Sequence, residues 1–207
     1  MALEHRISEL DTYLFAKGTH YEIYEKMGAH LAEEDGKAGT YFSVWAPNAR
    51  SVSVVGDFNN WDRSAHPMQP VQQSGIWDIF VPGVKAGDLY KFAVETSQGY
   101  TVLKADPYGN QSQLRPDNAS VVADIRHFDW TDQAWRKAHQ EKKTESPMAI
   151  YEVHPGSWKK DPSMPGEFYN FKKLAVELAD YVLEMGYTHV ELIGIAEHPF
   201  DGSWGYQ

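Results

Sequence analysis

The chain has no cysteine in its 207 residues, which excludes disulfides and thiolate metal sites. Positive charge is scarce: 19 Lys and Arg stand against 29 Asp and Glu, a formal net charge of −10. A nucleic-acid partner would need clustered Lys and Arg to neutralise phosphates, so none is expected. An anionic membrane surface is disfavoured for the same reason. The nine His could reduce the negative charge in acid without reversing this reading. Long apolar runs are also missing. No stretch approaches the roughly 18 residues of a membrane span. The N-terminus has no apolar signal segment, only Leu3, Ile7, Leu10 and Leu14 spaced among charges. The expectation is a soluble cytoplasmic protein. No internal repeat or low-complexity segment is present.

What is plentiful is aromatic. Rings make up 14% of the chain, with seven Trp and twelve Tyr. They suit the core of a β-sandwich, and they equally suit stacking on the C–H faces of sugars. Composition does not choose between the two. The length allows one large domain or two small ones, and a hydrophobic share of 42% can fill a sizeable core.

Leu3, Ile7, Leu10 and Leu14 recur at helical spacing and predict an amphipathic helix over 3–16, ended by Gly18. Residues 1–19 read as an N-terminal helical arm. The stretch after it stays unassigned up to the turn cluster Glu33-Glu34-Asp35-Gly36. From Thr40 the period becomes two. Runs at 41–45, 51–55, 76–81 and 89–94 alternate and end at Pro, Gly, Asn or Asp. Short alternating strands with such turns predict an antiparallel, immunoglobulin-like β-sandwich over 20–127.

Residues 128–147 read as a partly helical linker, with a polar helix over 130–143. A strand follows at 148–153, then a loop rich in Gly and Pro. A helix spans Phe171, Leu174, Ala175, Leu178, Val182 and Leu183, with Gly186 just past its end, and a second strand begins at His189. Strand, helix, strand is a βαβ unit and implies a parallel sheet. Two strands and one helix leave open edges and an uncovered apolar face. The expectation is a sheet that continues beyond these residues or leans on a partner.

Two groups of residues carry candidate chemistry. Gly56-Asp57-Phe58-Asn59-Asn60-Trp61-Asp62 links two strands, and Gly, Asp and Asn there serve turn geometry. Trp61 at a polar tip is either packed down or displayed for stacking. Together with Lys91, Tyr100 and Asn118 it can be drawn as a sugar-binding face, Lys and Asn donating to hydroxyls while the rings stack. The second group closes the chain: Glu197 to Gln207 follows the second strand with acidic, aromatic and glycine residues. His154, after the first strand, has no second metal ligand at a suitable spacing and reads as a hydrogen-bonded structural residue. Glu152 and Glu191 lie in strands expected to be buried, where an ionised carboxylate needs a partner, so a structural ion pair is expected there. No cofactor or metal is implied.

GDFNNW at 56–61 and YKF at 90–92 resemble the glycogen- and starch-binding β-sandwich modules, such as that of the AMP-activated protein kinase β subunit. The resemblance implies sugar contacts at Trp61 and Lys91, places Tyr100 near a second stacking Trp, and pairs Asn118 with a family Asn. SVWAPNA (43–49), GDFNNWD (56–62), KADPYG (104–109), YEVHPGSW (151–158) and EHPFDGSWGYQ (197–207) occur in order. Together they resemble the N-terminal part of the 1,4-α-glucan (glycogen) branching enzymes, over residues 20–207.

That resemblance implies a sandwich module before an amylase-type (β/α)₈ barrel, whose first two strands would be 148–153 and 189–194. Residues 148–207 are then the truncated start of the barrel. It implies an α-glucan partner, Tyr206 stacking on the sugar at the cleavage point, and Trp204 and Asp201 shaping that pocket. The nucleophile and acid/base would come from later strands, so Glu197 and Asp201 are rejected as a catalytic pair. The expectation is an N-terminal fragment with no branching activity of its own. A debranching or trehalose-releasing hydrolase shares the layout, and a non-catalytic glycogen-binding protein is the alternative of a different class. An open reading frame downstream that encodes the missing carboxylates would decide for the enzyme.

Overall fold

A computed structural model describes residues 6–114, 116–126, 128–140, 146–163, 168–198 and 200–203. The chain divides into two compact units, Met1–His127 and Phe128–Gln207.

The first unit is a β-sandwich. Strands β1 (Gly28–Glu34), β2 (Lys37–Trp45), β5 (Ile76–Pro82) and β4 (Gln69–Val71) form one antiparallel sheet in the order β1-β2-β5-β4. Strands β3 (Ala49–Gly56), β6 (Leu89–Thr96) and β7 (Thr101–Lys104) form the other, and β8 (Ser120–Val121) also pairs with β6. β7 covers Phe92–Glu95, and β8 covers Leu89 and Tyr90. The two short strands therefore share one edge of β6, while β3 takes the other. Phe42 and Val44 from one sheet and Val52, Val54, Tyr90 and Phe92 from the other meet in one buried cluster. Fully burying such side chains contributes about 1.5–3 kcal/mol each.

The unassigned stretch after Gly18 holds the 3-10 turn Ile23–Glu25 and then the start of β1. β1 pairs with β2 through a two-residue loop in which Asp35 and Gly36 have φ of 49° and 73°. Positive φ at both positions is the type I′ geometry that matches strand twist.

The N-terminal segment does not stand apart from the sandwich as an arm. The helix α1 runs from Glu9 to Ala16, with Ser8 as its N-cap. Ile7 lies before the cap and is buried with Ile23, Met27, Val71 and Ile76, whereas Leu10 is 64% exposed. The buried positions of α1 are Asp11 and Thr12. Asp11 accepts from Lys26 Nζ at 2.5 Å and contacts His20 Nε2 at 2.7 Å. Its bonds to Lys26, Ser8 and His20 outweigh desolvation and hold its carboxyl well below the usual range. The segment covers the outer face of β2: the Arg6 N–H donates to Tyr41 Oη at 2.7 Å, and Ser43 Oγ donates to the Lys26 carbonyl at 2.6 Å. Tyr41 in turn donates to the buried Asp78.

The second unit holds helix α2 (Gln133–Gln140), strand β9 (Ile150–Val153), helix α3 (Pro155–Trp158), helix α4 (Phe171–Met185) and strand β10 (His189–Leu192). β9 and β10 are parallel, with Ile150 opposite His189 and Val153 opposite Leu192. Asn170 caps α4 by accepting from the Lys173 N–H at 2.9 Å, and Gly186 ends it at φ 79°. The Gly186 and Tyr187 N–H groups turn back to Leu183 and Val182, which satisfies carbonyls at the helix end. Tyr151 of β9 packs on Tyr181 of α4, ring centroids 5.3 Å apart. Ile150 and Glu152, which alternate with Tyr151 and Val153, are exposed. The carboxylates of Glu152 and Glu191 are therefore neither buried nor set against cations by the pairing. They are exposed and lie opposite one another in register.

Candidate functional site: a tryptophan turn on the sandwich

The turn after β3 is built by its neighbours. Gly56 is extended, but a Cβ there would lie 2.1 Å from the Leu89 carbonyl oxygen. The close approach of β6 therefore requires glycine. The ring of Phe58 stacks on Phe42 with centroids 6.0 Å apart and joins the core. Asn59 is buried and clamps the turn: its Oδ1 accepts from the Gly56 N–H at 2.9 Å and its Nδ2 donates to the Val54 carbonyl at 3.0 Å. Its Nδ2 also lies 2.9 Å from His66 Nδ1.

With Phe58 and Asn59 directed inward, the chain leaves the core through two residues in the left-handed region. Asn60 has φ 52° and Trp61 φ 60°. Asn tolerates this, but a bulky ring seldom does, and such a conformation costs on the order of 1–3 kcal/mol. Trp61 belongs to neither buried cluster and is partly buried. The ring is thus neither part of the core nor fully displayed: its edge is tied to the turn and part of its surface stays open.

Lys91 stands opposite Val55, beside the end of β3 from which this turn springs. Its Nζ donates to Asn118 Oδ1 at 2.5 Å. The fold thus gathers Lys91 and Asn118 near the base of the Trp61 turn. Tyr100 is not gathered with them. It follows Gly99 in the β6–β7 hairpin, its carbonyl accepts from the Thr96 N–H at 2.9 Å, and it is 55% exposed. Thr96 lies five residues along β6 from Lys91, about 16 Å at strand spacing. Of the four candidates, register thus sets Tyr100 apart from Lys91 along β6.

Two residues were overlooked in the sequence. Leu103 is opposite Ala93, two positions from Lys91, so it shares the outer face of this sheet and is 41% exposed. Only cross-strand register reveals it. Asp57, whose Oδ1 accepts from Trp61 Nε1 at 3.0 Å, was passed over as turn chemistry. Its spacing of four from Trp61 was the available signal.

Beneath β6, KADPYG has a structural role. Asp106 Oδ2 accepts from Tyr90 Oη at 2.6 Å and its Oδ1 from the Tyr108 N–H at 2.8 Å. The Asp106 N–H donates to Ser120 Oγ at 2.8 Å. Burial pushes this carboxyl up to about 6, the two bonds it accepts only partly offsetting desolvation.

In the second unit a cavity of about 180 Å³ opens beyond the C-terminal ends of β9 and β10, lined by His154, Phe168, Tyr169, Phe171, Gly194 and His198. That end of the strands is where (β/α)₈ enzymes carry their sites. Asp201 opens a short 3-10 turn, Asp201–Ser203. Trp204 and Tyr206 lie outside the described residues. Among the described residues no cluster of three His, Asp or Glu could hold a metal.

Comparison with known proteins adds the family. Residues 26–109 match the model of carbohydrate-binding module 48 (isoamylase N-terminal domain). The chain is 53% identical over 203 residues to the 1,4-alpha-glucan branching enzyme of Butyrivibrio fibrisolvens, covering 97% of this chain and 32% of the relative. It is 54% identical over 200 residues to that of Protochlamydia amoebophila, covering 96% and 27%. The chain thus spans 27% to 32% of the length of these relatives. In fold it resembles a putative alpha amylase from Salmonella typhimurium, with a TM-score of 0.61 at 24% identity, covering 87% of this chain and 26% of the other. It also resembles the GBS pullulanase SAP in complex with maltotetraose, with a TM-score of 0.59 at 21% identity, covering 84% and 24%. A β-sandwich that matches a carbohydrate-binding module, followed by a parallel βαβ unit, makes nearly the whole chain similar to part of the 1,4-α-glucan branching enzymes.

Proposed function

We propose that this chain is the glucan-binding module and barrel start of a branching enzyme, and that its sandwich holds an α-glucan at the Trp61 turn. The observation that carries the reading is the Trp61 ring, partly open and set on a left-handed backbone outside the core, with the Lys91–Asn118 pair at the base of its turn. A flat ring offers its face to the C–H surface of a sugar, while an ammonium and an amide supply donors to hydroxyls.

The activity to which the module contributes would be cleavage of an α-1,4 glucan and transfer of the cut end to a 6-hydroxyl. With retained stereochemistry this needs a carboxylate nucleophile and a carboxylic acid/base roughly 5 Å apart, acting through a covalent glycosyl-enzyme. We assign neither role to a residue of these 207. Tyr206, Trp204 and Asp201 remain the candidates for contacting sugar at the barrel mouth, supported by their place after β10. On this reading the 207-residue chain binds glucan and does not branch it.

Affinity electrophoresis in glycogen gels, with the Trp61→Ala variant alongside, tests the binding half. Retardation lost in the variant supports the site; equal migration of both proteins with and without glycogen removes it. Formation of α-1,6 branches by the purified chain would overturn the second half.

A further inference from the structure

The edge of the Trp61 indole is held by a hydrogen bond. Its Nε1 donates to Asp57 Oδ1 at 3.0 Å, and the ring belongs to neither buried cluster. Asp57 opens the 3-10 turn Asp57–Asn59, and its own backbone is tied in: the Asn60 N–H reaches its carbonyl at 3.4 Å. The Trp61 N–H is fixed to the Gly56 carbonyl at 3.0 Å. Both ends of the Asp57–Trp61 contact thus sit on a backbone that the Asn59 clamp already holds.

Stacking on a sugar needs the ring face turned to the ligand. A partly exposed Trp whose ring edge is not held samples more than one side-chain rotamer. Only the fraction in the right one can bind, and the apparent affinity falls by that fraction. A carboxylate holding the ring edge selects one rotamer and leaves the face uncovered.

We propose that Asp57 is a positioning residue for glucan binding, holding the Trp61 indole through its Nε1 so that the ring is pre-set to stack. This rests on the proposed role of Trp61 and adds to it a residue that acts through the ring and not on the sugar.

Maltoheptaose titration of the whole chain tests it, using Asp57→Ala, Asp57→Asn, Trp61→Ala, Trp61→Phe and the double variant Asp57→Ala/Trp61→Phe. Asp57→Ala should weaken binding about fivefold, the change expected if one rotamer in five is competent. Asp57→Asn keeps an oxygen that accepts the same N–H, and should stay within about twofold of the parent. Phe has no N–H, so adding Asp57→Ala to Trp61→Phe should change nothing further. The Trp61 indole N–H resonance should lose its hydrogen-bonded shift in Asp57→Ala alone.

If Trp61→Ala abolishes binding while Asp57→Ala binds like the parent, the positioning role is wrong and the site stands. The role is also wrong if Asp57→Ala weakens Trp61→Phe as much as it weakens the parent, because the carboxylate then acts on the sugar or the turn itself. If Trp61→Ala binds as well as the parent, or the parent does not bind, the site reading fails and the positioning role with it.

Discussion

Lys91 Nζ donates to Asn118 Oδ1 at 2.5 Å, joining β6 to a loop 27 positions further along the chain. The contact is open to solvent, where such a bond is worth about 0.5–1.5 kcal/mol at most. Its place beside the Trp61 turn matters more than its strength. Lys91→Ala should therefore leave the urea midpoint nearly unchanged while weakening glycogen retention about tenfold. Asn118→Ala should weaken it less, because the ammonium is released rather than removed. Parallel unfolding and affinity gels check both; a large loss of stability in either variant would mean the pair is structural.

Trp61→Gly separates strain from function. Glycine adopts φ near 60° freely, and left-handed backbone costs a side-chain-bearing residue roughly 1–2 kcal/mol. The variant should unfold at the same or a higher temperature than the parent and lose glycogen binding. A fall in Tm of several degrees would show that the ring is packed down after all.

Tyr100→Ala should retain glycogen binding within about twofold, because the hairpin carries this ring about 16 Å along β6 from Lys91. Measured by the same gels, a loss as large as that of Trp61→Ala would place the sugar along the whole outer face of the sheet.

The pH dependence of stability should carry the mark of Asp106. Its folded-state value is raised from 3.8 to about 6. Between these values the folded protein keeps a proton that the unfolded chain has released, so this group's contribution falls as pH rises through the window. Relative to Asp106→Asn, in which this position does not titrate, the wild type should lose about 2 kcal/mol between pH 4 and 6. Asp11 acts in the opposite sense. Its folded-state value is depressed, so its contribution is present above the usual carboxylate range and is lost on further acidification. Urea midpoints of both proteins from pH 3.5 to 7 check the sign; a parallel pair of curves would rule Asp106 out as the source.

The elements most readable in the sequence were those fixed by local chemistry. The 3.6-residue period ending at Gly186 yields α4 and its left-handed terminus. Alternation between Gly and Pro yields β2, β3, β5 and β6. The N-terminal helix was misjudged at its start because Leu10 and Ile7 fit one helical stripe. In the fold Ile7 lies before the cap, in a pocket made by Ile23, Met27, Val71 and Ile76. β1 was missed because Ala and Glu within Gly28–Glu34 disfavour strand. Pairing with β2 through the Asp35-Gly36 turn overrides that preference.

By itself the sequence determined the kinds of element, the turn at 56–62 and the order of motifs that links the chain to the branching enzymes. Each of these rests on residues close together in the chain, where spacing and turn chemistry act directly. Only the tertiary structure decided which candidates share a face. Lys91, Asn118 and Leu103 fall on one side of β6 and Tyr100 at its far end, because hairpin length and cross-strand register are set by hydrogen bonds between distant segments. A shift of one residue in that register would have turned every side chain of β7 to the opposite face.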